Sequence, residues 1–99
     1  MSTLYITEHA DQLVLVGRAV GVPREPPVAE QTVTISGTSA QSAAFNAKTK
    51  YIRIISDVVC SRLVGANPTA TSSNTRMAAD AYEFIAVNAG DKIAVITNT

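Results

Sequence analysis

Few residues in this sequence are of the kinds on which catalysis or metal binding depends. The 99 residues include one histidine, His9, one cysteine, Cys60, and no tryptophan. Catalysis needs titratable groups that converge, or a bound metal with several nitrogen, sulfur or oxygen ligands. The carboxylates of Asp57, Asp80, Glu83 and Asp91 are isolated from one another in the sequence, and nothing selects a pair of them for acid–base work. The sequence therefore predicts a protein that is not an enzyme and has no cofactor.

Charge is equally scarce and evenly balanced. Eight Lys and Arg residues match eight Asp and Glu residues, and charged residues make up 16% of the chain. The basic residues form no run that would neutralise a phosphate backbone, and no apolar run is long enough for a transmembrane helix. We expect no direct nucleic-acid partner and no membrane. The absence of a leader pattern and the single cysteine indicate synthesis in a reducing cytoplasm.

Apolar residues are plentiful for so small a chain. They make up 46% of the sequence, whereas a domain of this size has a large surface relative to its volume and usually needs a more polar exterior. Part of the apolar surface is therefore expected to be covered by another chain. We predict a homo-oligomer or a complex with a second protein.

Alternation of polar and apolar residues is the main pattern in the chain. Short β-favouring runs are separated by Gly, Pro, Asn and Ser, which is typical of antiparallel strands joined by turns. Residues 82–87 contain aromatic and β-branched side chains and favour a strand over a helix, and residues 88–91 suit a tight hairpin turn. We predict an all-β protein, an antiparallel β-sandwich that is jelly-roll-like. The predicted strands are 4–6, 13–16, 32–35, 40–45, 51–55, 58–64, 76–79, 82–87 and 92–97.

The chain divides into a short N-terminal part and a body. Residues 28–99 are predicted to form the sandwich, and residues 1–27 to supply edge strands or an arm. Three prolines within residues 23–27 enforce an extended path there. Alternation alone predicts a core formed by Val33, Ile35, Phe45, Ile52, Ile54, Val59, Leu63, Phe84, Ile93 and Val95.

The single histidine and the single cysteine, the residues best suited to catalysis or metal binding, have ordinary structural explanations. His9 falls between two predicted strands, beside Glu8, so it is expected in a solvent-exposed turn. Cys60 is expected to point inward from a strand as a small apolar side chain. Neither residue has the companions that a nucleophile or a metal ion requires.

Two segments are candidates for binding a partner. The proline-stiffened segment 21–27 loses little entropy on docking, which suits an arm laid across a neighbouring subunit, and a plain connection between strands fits equally well. The loop 66–74 is small and polar, so it is expected to be exposed, with hydroxyls available to a protein surface or a sugar. The candidate contact residues are Leu4, Tyr5, Ile6, Pro23, Arg24, Pro26, Pro27, Asn67, Pro68 and Thr69.

Several segments resemble small virion proteins of tailed bacteriophages. They include Ala-Glu-Gln-Thr-Val at 29–33, Ser-Ala-Gln-Ser-Ala-Ala-Phe-Asn at 39–46 and Gly-Ala-Asn-Pro-Thr-Ala-Thr at 65–71. The similarity continues through Met-Ala-Ala at 77–79 and Ile-Ala-Val-Ile-Thr-Asn-Thr at 93–99. No catalytic motif accompanies it, and the N-terminal third departs from it most.

The resemblance implies a place in a virion. Among virion parts, a capsid decoration or cement protein is the best fit, made in the host cytoplasm and bound to the major capsid protein on the outside of the head. One alternative is a tail or fibre β-module that binds a neighbouring virion protein or a host sugar. A second alternative is a small intracellular β-sandwich that binds or converts a ligand.

Overall fold

A computed structural model describes residues 2–10, 12–15, 18–23 and 25–98, with side chains described in 2–10 and 25–98. The described residues form ten β-strands and no helix. The strands are β1 (Ser2–His9), β2 (Gln12–Leu15), β3 (Arg18–Pro23), β4 (Ala29–Ile35), β5 (Ala40–Gln41), β6 (Tyr51–Ser56), β7 (Cys60–Gly65), β8 (Thr75–Met77), β9 (Tyr82–Ala86) and β10 (Lys92–Thr97).

Eight of these strands form two four-stranded antiparallel sheets. Sheet I has the order β4-β1-β6-β9, and sheet II has the order β5-β10-β7-β8. The two sheets pack face to face around one apolar core, so the predicted all-β antiparallel sandwich is confirmed. An ion pair from Arg62 Nε to Glu83 Oε1, 2.9 Å long, joins β7 of sheet II to β9 of sheet I. The jelly-roll arrangement stays a prediction.

The alternation that predicted the strands also predicted most of the core. Seven of the ten predicted core residues are buried, because every second side chain of a strand points to the same side of its sheet. Val59 is only half-buried, while Leu63 and Phe84 point outward and are 38% and 47% exposed. Those three assignments were wrong, because alternation alone does not reveal which set of residues faces inward.

The first strand lies inside sheet I. It pairs with β4 on one side and with β6 on the other, and Leu4 and Ile6 are almost fully buried in the core. The prediction that residues 1–27 supply edge strands or an arm is therefore wrong for β1. The edges of sheet I are instead formed by β4 and β9.

Strands β2 and β3 pair with each other and make a separate two-stranded sheet. They are inserted between β1 and β4, which are direct neighbours with Glu8 opposite Ala29. The chain thus leaves sheet I after β1, forms a hairpin and returns to sheet I. Within the described residues, no ladder connects this hairpin to either sheet.

The turn at residues 88–91 is tight, as predicted, but it connects two strands of different sheets. Gly90 has a φ of 84°, and the amide of Asp91 donates to the carbonyl of Asn88 at 3.2 Å. A residue without a Cβ adopts this left-handed conformation without strain. However, the turn connects β9 of sheet I to β10 of sheet II, so it crosses from one sheet to the other. The prediction that it closes a hairpin was wrong.

The loop from Ala66 to Asn74 is fastened to the sandwich by hydrogen bonds. The Gln41 side chain donates to the carbonyl of Pro68 at 2.6 Å, and the Asn98 side chain donates to the carbonyl of Ser72 at 3.1 Å. Ala70 is 3% exposed. The loop therefore lies against the outer side of sheet II, and the prediction of a freely exposed loop was wrong for its buried residues.

Candidate functional site

Four of the five aromatic side chains of the protein lie on the outer side of sheet I. Residues at alternate positions of a strand share a side, and the register places Tyr5 and Tyr82 beside Ile55, and Tyr51 beside His9. Phe84 faces Arg53 across the β6–β9 pair. We call the surface formed by Tyr5, His9, Tyr51, Arg53, Tyr82 and Phe84 the aromatic face.

The rings of His9, Tyr51, Phe84 and Tyr82 form a chain of contacts across the aromatic face. His9 stacks on Tyr51 with ring centroids 5.2 Å apart, and Phe84 meets Tyr82 edge to face at 5.6 Å. The guanidinium carbon of Arg53 lies 4.9 Å from the centroid of the Tyr82 ring, within the range of a cation–π interaction. These contacts hold the side chains in place while leaving Tyr82 58% and Phe84 47% exposed.

A hollow of about 360 Å³ opens on this face. Its lining combines rings with groups of both charge signs and a hydroxyl: Thr7, His9, Glu25, Arg53, Tyr82 and Phe84. A second hollow of about 320 Å³ is lined by Tyr5, Ile6, Thr7, Glu30, Gln31 and Thr32. Thr7 belongs to both, so the two hollows adjoin and together cross sheet I from β9 to β4.

Polar groups at the first hollow have unused hydrogen-bonding capacity. His9 is 2% exposed, and its Nδ1 makes no hydrogen bond within the described residues. A buried polar atom without a partner is unfavourable, so its presence calls for a ligand group or water that completes it. The prediction of a solvent-exposed turn histidine was wrong, because His9 is the last residue of β1 and stacks on Tyr51.

Glu8 points to the opposite side of the strand and is also buried, at 2% exposed. Its carboxylate accepts hydrogen bonds from the Thr49 hydroxyl at 2.8 Å, the Asn46 amide at 2.8 Å and the Gln31 side chain at 3.1 Å. Three donors replace the water that the charge lost on burial. Glu8 therefore anchors residues 46–49 against β1 and fixes the end of the strand from which His9 projects.

Cys60 is buried in the core, as predicted. Burial raises the pKa of its thiol above the ordinary value, and the Ser56 hydrogen bond and the charge of Arg62 offset part of that rise. A raised pKa keeps the thiol protonated, and a protonated thiol is a poor nucleophile. In the part of the chain that the structure describes, no three His, Cys, Asp or Glu side chains converge as metal ligands.

The predicted contact residues do not form one surface. Leu4 and Ile6 are in the core and therefore cannot meet a partner, whereas Tyr5 between them is 51% exposed. Pro26 is exposed and Pro27 half-buried in the segment before β4. In the loop over sheet II, Asn67 and Thr69 are exposed, and the prediction that Pro68 is a contact residue is wrong because Pro68 is buried. Pro23 ends β3, and Arg24 lies outside the described residues.

Sequence reasoning missed the aromatic face, although the pattern that reveals it is present. Tyr5, Thr7 and His9 alternate with apolar Leu4 and Ile6 in β1. The same alternation separates Tyr82 and Phe84 from Ile85, but there the more apolar set faces outward. Because aromatic side chains are usually assigned to the core, the pattern pointed to the wrong side of β9.

Comparison with known proteins adds no identification. Searches of protein-family models, of curated proteins and of solved structures find no match for this chain. Within the described residues, no helix has the length and apolarity needed to cross a membrane. The function must therefore be argued from the fold and from the surfaces described above.

Proposed function

We propose that the protein is a non-enzymatic structural protein of a bacteriophage virion, and that it decorates the head by binding the major capsid protein. In this proposal the sandwich is the rigid body of the decoration protein. The β2–β3 hairpin is its attachment arm. The observation that carries the proposal is the position of this hairpin outside both sheets.

A two-stranded hairpin is only marginally stable in water unless a third strand or a packed surface supports it. The β2–β3 hairpin has no ladder to sheet I or sheet II within the described residues, so neither sheet supplies that third strand. A neighbouring protein that pairs with it or packs on it would complete it, by strand addition or by simple coverage. An arm that is already paired loses less entropy on docking than a disordered one.

The strand order of the two sheets is compatible with a virion role. We infer that β4-β1-β6-β9 and β5-β10-β7-β8 correspond to a jelly roll whose last strand has moved to the start of the chain, where β1 takes its place. Jelly rolls are common among viral capsid proteins and lectins. The sequence resemblance to small virion proteins points in the same direction.

A decoration protein attaches to the head in many copies, each of which binds weakly. Each subunit adds a modest interface between its arm and a capsid subunit, and a homo-oligomeric body joins several arms. Simultaneous attachment at several points raises the overall affinity far above that of one arm. The balanced charge of eight basic and eight acidic residues fits an attachment that depends on packing more than on long-range attraction.

The test shortens the arm without disturbing the body. Gln12 faces Pro23 in the hairpin ladder, so an Asn-Gly turn in place of residues 13–22 closes the hairpin at that pair and leaves β1 and β4 intact. We expect the shortened protein to fold with an unchanged thermal midpoint and to lose binding to purified heads in a sedimentation assay. Retained binding would rule out the arm. Removal of all of residues 1–27 is unsuitable, because it deletes β1 from sheet I.

Copy number distinguishes the proposal from its rivals. Quantitative mass spectrometry of purified particles is expected to find the protein at hundreds of copies per particle, as a shell component requires. A few copies would favour the tail or fibre alternative. Particles that lack the protein altogether would overturn the virion role and leave the intracellular alternative.

A further inference from the structure

We propose that the aromatic face is a carbohydrate-binding site, in which the hollow around Arg53 and Phe84 holds one sugar ring of a neutral oligosaccharide. This activity is separate from the arm and from attachment to the head. It is carried by three features of the hollow: donors and acceptors on one lining, a buried His9 whose Nδ1 makes no hydrogen bond within the described residues, and exposed aromatic rings.

The charges of the hollow select a neutral, hydroxyl-rich ligand. Arg53 offers only donors, and no carboxylate pairs with it within the described residues. Glu25 lines the same hollow, carries the opposite charge and offers only hydrogen-bond acceptors. An anion would gain from Arg53 and be repelled by Glu25, and a cation would meet the reverse. A sugar hydroxyl both donates and accepts, so neighbouring hydroxyls satisfy both residues without adding charge.

His9 adds an interaction that solvent alone supplies poorly. Its ring is 2% exposed, lines the hollow, and has an Nδ1 without a hydrogen bond in the described chain. A hydroxyl donates to Nδ1 when the nitrogen is unprotonated and accepts from it when it carries the proton. A ligand hydroxyl therefore makes a hydrogen bond with Nδ1 in either tautomer of His9. A carboxylate only accepts, so it bonds Nδ1 only in the tautomer that carries a proton on that nitrogen.

The exposed rings provide the apolar part of the site. Phe84 and Tyr82 stand edge to face, 5.6 Å apart, so the two rings form a corner and present a ring face beside the polar groups. The C–H side of a pyranose is apolar and packs on such a face while its hydroxyls remain directed at Arg53, Glu25 and His9. Arg53 is itself held over the Tyr82 ring, which limits its freedom before binding.

The adjoining second hollow extends the site to a chain of sugars. It shares Thr7 with the first hollow and contains Tyr5, 51% exposed, together with Glu30 and Thr32. It repeats the combination of one exposed ring, one carboxylate and hydroxyls. A linear oligosaccharide that runs across the strands of sheet I would place successive rings in the two hollows. Affinity is therefore expected to rise with chain length.

The test is an NMR titration of the full-length ¹⁵N-labelled protein. The probes are glucose, galactose, mannose and N-acetylglucosamine, then maltotriose, cellotriose and chitotriose, with sodium acetate as a charged comparison. We expect at least one sugar series to shift the amides of Thr7, Arg53 and Phe84, and its trisaccharide to bind roughly tenfold more tightly than its monosaccharide because a second hollow is filled. Acetate is expected to cause no saturable shift.

Variants separate the site from the rest of the surface. Phe84→Ala and Arg53→Gln are each expected to weaken binding roughly tenfold, because a stacking contact or a charged donor is lost. Leu63→Ala removes a 38% exposed side chain from the outer side of sheet II and is expected to change nothing. The protein with the shortened hairpin keeps Glu25 and is expected to bind sugar normally. A result that rules out the arm as the attachment to the head therefore does not affect the carbohydrate-binding proposal.

Three results would overturn the site. One is the absence of shifts with every sugar at about 50 mM, where a dissociation constant of about 10 mM gives mostly occupied protein. Another is shifts confined to the loop 66–74, which lies over sheet II. The third is saturable acetate binding that competes with the sugars, because it would mark the hollow as a carboxylate site.

Discussion

The outer sides of the two sheets differ in the size and in the exposure of their side chains. Sheet II has small side chains, Ser61 and Ala94, at the part of its outer side that the loop 66–74 covers, and both are 0% exposed, whereas Leu63 on the same side is 38% exposed. Sheet I has large ones, and Tyr5, Tyr82 and Phe84 are each about half exposed. Each sheet has its inner side in the same core. The two sheets differ in the size of their outer side chains and in how much of that side the chain covers.

This difference shows which surface is available for binding. The hydrogen bonds of Gln41 to Pro68 and of Asn98 to Ser72 use the polar groups of the covered side within the protein. On sheet I, the Nδ1 of His9 has no hydrogen bond within the described residues. A surface that has exposed aromatic rings, an arginine and unused polar groups has the composition of binding sites in general.

The largest expected effect on the free energy of unfolding comes from a substitution on the inner side of sheet I. Glu8→Ala leaves the Thr49 hydroxyl and the Asn46 amide without an acceptor, and the Gln31 side-chain amide keeps only the Ala43 carbonyl. We expect the free energy of unfolding to fall by about 3 kcal/mol in urea denaturation. Glu30→Ala is the matched control on the outer side of the same sheet, and a change below about 0.5 kcal/mol is expected there. Equal effects would contradict the inward role of Glu8.

The next experiment compares the two outer sides directly with one substitution. Ala94 lies under the covered side of sheet II at 0% exposed, and Ala86 lies exposed on the outer side of β9. Ala94→Leu is expected to cost about 2 kcal/mol, since the extra atoms have no space beneath the loop. Ala86→Leu is expected to cost less than about 0.5 kcal/mol. If both variants unfolded at the same urea concentration, the loop would not cover sheet II.

A smaller effect is expected for the aromatic face itself. Replacing Tyr82 and Phe84 together by Ser removes their edge-to-face contact, the contact of Phe84 with Tyr51 and the contact of Arg53 with Tyr82. Because all three lie on an exposed face, the loss of stability is expected to stay near about 1 kcal/mol. Binding of the dye ANS, which reports exposed apolar surface, is expected to fall clearly. Leu63→Ser on sheet II is the control, with ANS fluorescence little changed. A larger fall for Leu63→Ser would identify sheet II as the open side.

The smallest effect concerns the core that the two sheets share. Burial raises the pKa of the Cys60 thiol, so the folded protein holds the proton more tightly than the unfolded chain. The resulting stabilisation is complete below the unfolded pKa, near pH 8.5, and decreases as pH rises from there toward the folded pKa. Cys60→Ala is expected to lose stability less steeply than the native protein between pH 8 and pH 10, whatever its stability at neutral pH. Parallel pH profiles would contradict this.

Much of the sandwich was predictable from the sequence, because its strands alternate regularly. Alternation predicted Ile52 and Ile54 in the core, and both are 0% exposed. Strand β1 was harder, since its first residues gave a clear β pattern without showing that β4 and β6 would flank it. Pairing partners are set by contacts between distant segments, and a local pattern carries no information about them.

The candidate site was less predictable for the same reason. His9, Arg53 and Phe84 lie on three different strands and become neighbours only through the ladders of sheet I. None of them belongs to a recognisable motif in the sequence. The partner-binding residues predicted from the sequence were chosen along the chain, and that choice placed Leu4 and Ile6 at an interface although they are in the core.

The sequence by itself determined that the chain forms β-strands and that charge is balanced, because composition and short-range alternation are properties of neighbouring residues. The tertiary structure alone decided which side of β9 faces the solvent, that the loop 66–74 covers sheet II, and that rings, Arg53 and His9 meet on sheet I. Those outcomes depend on the packing of one sheet against the other, which buries one side of each strand and leaves the other side for binding.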